Sequence, residues 1–140
     1  MTIIERIADE LAKIQPDIPI YTENQSNGFD VPSFYISRAG AGTIMPRTWN
    51  YEDRKYSYQV VYFANEDNPN EDLERMETIL MDNFTVLSEY SYLRNREFTI
   101  DSNEHTLICL FDLNLHMYRE DRTPKQKRLD VNANTKEEGN

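Results

Sequence analysis

Residues 54–64, Arg-Lys-Tyr-Ser-Tyr-Gln-Val-Val-Tyr-Phe-Ala, constrain the fold more than any other stretch of the chain. Tyr56, Tyr58, Val60 and Tyr62 alternate with Ser57, Gln59, Val61 and Phe63. That is the period of an extended strand, and β-branched and aromatic residues favour it. Both faces turn apolar toward the C-terminal end, so that end should lie centrally in a sheet. A second alternation follows further on. Cys109, Phe111, Leu113, Leu115 and Met117 are interleaved with Leu110, Asp112, Asn114 and His116. One face of that strand should be core, and the other polar and either wet or at a subunit boundary. With a strand near 92–101 and a turn at Ser102-Asn103-Glu104, it predicts a hairpin running to about Tyr118.

Two segments carry helical periodicity instead. Ile3, Ile4, Ile7, Leu11 and Ile14 recur at spacings of three and four within residues 2–14. Thr2 and Glu5 have capping-box spacing, and Pro16 stops the helix. The second helix begins at Asn68-Pro69-Asn70-Glu71, with Asn68 expected as N-cap and Glu71 as its reciprocal partner. Leu73, Met76, Leu80, Phe84 and Leu87 form its apolar stripe. Short strands are expected at 18–21 and 33–38. Between them an Asn27-Gly28 turn runs through Phe29 to Pro32, and Gly28 can take positive φ without steric cost. Ala39-Gly40-Ala41-Gly42 interrupts the second of these strands, and residues 43–53 are expected as a long hairpin tip. The predicted architecture is an α+β domain over residues 1–118. Two amphipathic helices pack on a mostly antiparallel β-sheet, in the order α-β-β-β-α-β-β.

Charge narrows the function classes. The net charge is −10, and residues 1–118 hold nine Lys/Arg against 20 Asp/Glu, whereas residues 119–140 hold six against five. A body this acidic lacks the basic footprint of a phosphate-gripping nucleic-acid binder. It is compatible with simple solubility, or with a wall past which DNA slides without sticking. No apolar run approaches the ~18–20 residues of a membrane span. Residues 1–6 carry Glu5 where a signal peptide would continue into an apolar block, so secretion by such a peptide is not expected. Residues 119–140 have little apolar content and are expected to form a charged, flexible tail. Lys125-Gln126-Lys127-Arg128 within it could touch an acidic neighbour or simply be solvated.

Catalytic chemistry finds little support. His116 follows Asp112 by four residues, which on a strand places them roughly 13 Å apart, too far for one dyad or one metal. His105 falls in a turn signal, and Cys109 lies on the apolar face, where a buried inert thiol is expected. Gly40 and Gly42 lack the context of a phosphate loop. No cofactor, metal ligand set or catalytic residue is assigned.

The aromatic content points to contacts instead. The chain has nine Tyr and one Trp. Such residues bury large area while keeping a polar handle, either at interfaces or on half-buried sheet faces.

Several of these features, taken in order, resemble the tail terminator proteins of phages and phage-derived particles of Gram-positive bacteria. They are the N-terminal amphipathic helix leading to Ile20-Tyr21-Thr22-Glu23, then Gly28-Phe29, then Pro32-Ser33-Phe34-Tyr35-Ile36. Tyr58-Gln59-Val60-Val61-Tyr62-Phe63 follows, then Asn70-Glu71 with its helix and the closing strands. The resemblance covers most of residues 1–118.

It implies a structural protein, not an enzyme. Such a protein would form a homo-oligomeric ring, typically a hexamer, on the last ring of the tail tube. There it would stop tube growth and present a joining surface to neck or head-completion proteins, with sheath a further partner. DNA would pass through the lumen without specific binding, and no membrane is involved. Assembly would take place in the bacterial host cytoplasm, before incorporation into a virion or headless tail-like particle. Arg38, Met45, Arg47, Trp49, Tyr51, Tyr56 and Tyr58 are the expected interface residues, since Arg and aromatic residues are frequent hot spots. An acidic DNA mimic that occupies a DNA-processing enzyme is the alternative, and a hydrolase without a nameable nucleophile–base pair is a weaker third.

Overall fold

A computed structural model of the chain describes residues 1–118; the expected tail at 119–140 lies outside them. The elements are α1 (Ile3–Ile14), β1 (Ile20–Tyr21), β2 (Ser33–Arg38), β3 (Thr43–Pro46), β4 (Tyr51–Phe63), α2 (Pro69–Asn83), β5 (Val86–Leu87), β6 (Ser91–Tyr92), β7 (Arg94–Asp101) and β8 (Thr106–Tyr118). The α+β class and the expected order hold, with β3, β5 and β6 as additional short strands. The described chain forms two compact units, one of residues 1–41 and 56–114, the other of 42–55 and 115–118. β4 and β8 contribute residues to both.

In the first unit the sheet order is β1-β2-β4-β8-β7. β1 runs parallel to β2, and the β2–β4 and β7–β8 pairs are antiparallel, with Arg38 opposite Tyr58 and Phe98 opposite Cys109. Phe34, Ile36, Tyr58, Val60, Tyr62, Cys109, Phe111 and Leu113 from the strands share one buried cluster with Ile7, Leu11, Leu73, Met76 and Leu80 from the helices. The Cys109–Leu113 alternation therefore has its core face as expected, and in the earlier strand it is the Tyr58, Val60 and Tyr62 face that is buried. Burial pushes the Cys109 thiol up to about 12, so it stays protonated and unreactive at neutral pH. On the opposite face Phe29 stacks on Phe63 at 4.7 Å and also meets Tyr21 and Tyr35. Gly28, at φ +85°, makes the turn that brings Phe29 there.

The helix ends are held in different ways. Thr2 and Glu5 form the expected reciprocal capping box at α1, with bonds of 2.8 and 3.1 Å. The expected side-chain cap of α2 is absent. Asn68 adopts left-handed backbone angles (φ 52°), which take its amide away from the first-turn N–H groups.

Asp72 instead ties down the segment before the helix. Its carboxylate accepts from the Tyr62 hydroxyl at 2.6 Å, the Asn65 N–H at 3.0 Å and Arg75 at 2.5 Å. Burial alone would raise this carboxyl, but the hydrogen bonds outweigh it and hold it below the usual carboxylate range. Burial, then the bond to Asp72, pushes the Tyr62 phenol up. A depressed carboxyl contributes stability above its unfolded pKa and loses it as pH falls through the folded value. Asp72→Asn is therefore expected to cost about 1–3 kcal/mol at pH 7 and less at pH 3. Urea midpoints at the two pH values measure this difference.

The C-terminus of α2 has no basic residue in its last turn. Arg96 of β7 compensates, its Nη1 donating to the carbonyls of Leu80, Met81 and Phe84 at 3.0–3.2 Å. Without it, carbonyls at a part-buried helix end lose a charged donor. Arg96→Met should lower stability by about 1.5–3 kcal/mol, read by urea unfolding.

Candidate interaction surface

β3 pairs with β4 from Thr43 opposite Lys55 to Pro46 opposite Glu52. The backbone N–H groups of Arg47 and Thr48 both donate to the Tyr51 carbonyl, closing the turn between the strands. Residues 42–55 thus form a short hairpin arm, structured as a strand pair where a tip had been expected. Residues 41–50 are exposed throughout, including the large side chains of Ile44 (60 %), Met45 (55 %) and Trp49 (65 %). Large exposed apolar groups gathered on one short ribbon make it the candidate contact surface.

The base of the arm is polar and tightly bonded. Asp53 accepts from Arg47 Nε at 2.7 Å and contacts His116 Nδ1 of β8. The Arg47 bond, then the His116 bond, holds the Asp53 carboxyl below the usual range. The Tyr51 hydroxyl lies 2.8 Å from the same His116 nitrogen. The Tyr51 ring also packs on His116 and Tyr118, at 5.7 and 5.2 Å between centroids. Partial burial, then the nearby Asp53 charge, raises the Tyr51 phenol. Glu52, on the other face of β4, is fully buried and accepts from Arg54 Nε at 2.6 Å.

The seven expected interface residues fall into two groups. Met45, Arg47, Trp49 and Tyr51 belong to the arm. Arg38, Tyr56 and Tyr58 belong to the first unit. There the exposed Arg38 guanidinium lies 5.2 and 5.6 Å from the Tyr56 and Tyr58 ring centroids. Tyr58 is a core side chain in the isolated chain, only 5 % exposed, and burial raises its phenol. Sequence reasoning missed Asp53 and His116, because their meeting depends on cross-strand pairing that local spacing does not encode.

A depression of about 400 Å³ at the start of α2 is lined by Asn65, Asp67, Asn68, Glu71, Asp72 and Arg75. Among the described residues no group of three or more His, Cys, Asp or Glu could hold a metal ion, and no helix is long and apolar enough to cross a membrane.

The model of a family described as phage tail terminator protein matches residues 2–125. The chain belongs to that family. The match spans the described fold and extends seven residues past Tyr118. A comparison with curated proteins finds no match. Family membership makes this chain a structural protein of the phage tail, acting with other tail proteins in a virion or tail-like particle. A hairpin arm with exposed apolar side chains suits such a role.

Proposed function

We propose that this chain assembles as a ring, a hexamer, on the head-proximal end of the tail tube, ends tube polymerisation and offers the joining surface for neck proteins. Heterologous contacts between copies close such a ring and leave two unlike faces. One face matches the tube and the other does not template a further tube ring. The single observation that carries this reading is the hairpin arm, residues 42–55, exposed from 42 to 50, on a member of a tail terminator family. Its Ile44, Met45 and Trp49 are the anchors offered to a neighbouring subunit or the tube. The acidic body suits a lumen through which DNA moves without binding. Assembly takes place in the host cytoplasm, with sheath as a further neighbour where one is present. No catalytic step or cofactor enters.

Particles assembled without this protein test the proposal. Tubes of uncontrolled length without joined necks are expected, and restoring the chain should restore a single length. Tubes of normal length in its absence would contradict it.

A further inference from the structure

We infer that His116 is a positioning residue for the arm, closing a proton-dependent clasp on Asp53 and Tyr51 that fixes how the hairpin tip is presented. The geometry is specific. One imidazole nitrogen, Nδ1, faces both the Asp53 carboxylate and the Tyr51 hydroxyl, while the ring stacks on Tyr51. Asp53 in turn holds Arg47, the first residue after β3, and the Tyr51 carbonyl receives the two N–H bonds that close the turn. His116 therefore reaches the tip through two separate routes, one at each end of the turn.

The sign of the pH dependence follows from the groups present. From β4 the facing groups are Tyr51 and Asp53, and Lys55 lies on the same side of that strand. From the turn there is Arg47, and from β8 itself Tyr118, whose ring packs at a tilt against Tyr51. β3 contributes Thr43 and Met45 to this side, neither of which titrates. Asp112, four residues back on β8, is engaged by Ser57 and Asn95. The bonds from Arg47, then His116, hold the Asp53 carboxyl below the usual carboxylate range. Nδ1–H can donate to that carboxylate in either protonation state of the ring, but only the imidazolium adds charge attraction. The clasp is therefore tighter with an imidazolium than with a neutral ring, and it is released when Asp53 protonates.

The positioning role stands on this geometry, whereas its consequence for docking rests on the proposed function. Hydrogen exchange on the full chain, without tubes, reads the clasp directly. After correction for intrinsic exchange, protection of the Arg47 and Thr48 amides should rise roughly two- to fivefold between pH 8 and pH 5.5. His116→Phe keeps a ring for stacking but no donor, and should give lower, pH-independent protection at those amides. His116→Gln, which restores a neutral donor, should recover part of the protection without the pH dependence. Wild-type protection that is flat with pH, or an H116F profile matching wild type, would overturn the inference. Tube-capping assays on the same variants read the docking step separately, so a failed ring proposal and a failed clasp give different results.

Discussion

Replacing Phe111 with alanine should lower the stability of the chain by about 3–5 kcal/mol. Phe111 is 1 % exposed and sits on β8 in the sheet's core face. Its ring meets Phe84, just past α2, edge-on at 5.5 Å, and Tyr58 of β4 in a near-parallel stack at 6.5 Å. Alanine at this position removes the contact between the helix layer and two strands at once. The cavity it leaves is bounded by rings fixed in sheet and helix, which limits collapse. Against a total stability of about 5–15 kcal/mol, that loss takes most of the margin. Chemical denaturation should show an early midpoint, or no folded baseline at 37 °C. Phe111→Leu, which keeps most of the volume, should lose about 1–1.5 kcal/mol.

Removing the arm should have the opposite profile, with the fold kept and function lost. Residues 40–50 are exposed throughout, and none belongs to the core. The β2–β4 ladder reaches outward only to Arg38 opposite Tyr58, with one further bond from the Ala39 N–H to the Ser57 carbonyl. A chain lacking residues 40–50 can therefore turn back through residues 51–56 and still form that ladder. Cooperative unfolding and far-UV circular dichroism should persist. Capping of tail tubes should be undetectable. The gentler pair Met45→Ser and Trp49→Ser keeps the backbone and should weaken docking by about 2–4 kcal/mol, or 30- to 1,000-fold. Normal capping by the deletion would remove the arm from the account.

Local features of the fold were readable in the sequence, and features set by strand pairing were not. The capping box at Thr2 and Glu5, the apolar stripes of both helices and the two long alternations are each encoded within a few residues. The structure places them as those patterns require, except that α2 ends at Asn83, so Phe84 is its C-cap and Leu87 falls in β5, although both side chains still join the core. Asn68 misled because cap preference assumes extended backbone angles, and the left-handed conformation before Pro69 turns its side chain aside. β3 escaped notice because all four of its residues are exposed, leaving no inward and outward faces for polarity to mark. Arg96 at the end of α2 and His116 against Asp53 are contacts across 12 or more residues of sequence. Nothing in local spacing could have announced them. The seven expected interface residues stand out as residue types, while their division between the two units comes only from the fold.

Negative-stain imaging of the full chain mixed with isolated tail tubes tests the central claim most directly. The account predicts a ring-shaped density at one end only, on tubes that no longer elongate when fresh tube protein is added. Tubes with bare ends that continue to grow, or protein scattered along their length, would contradict it.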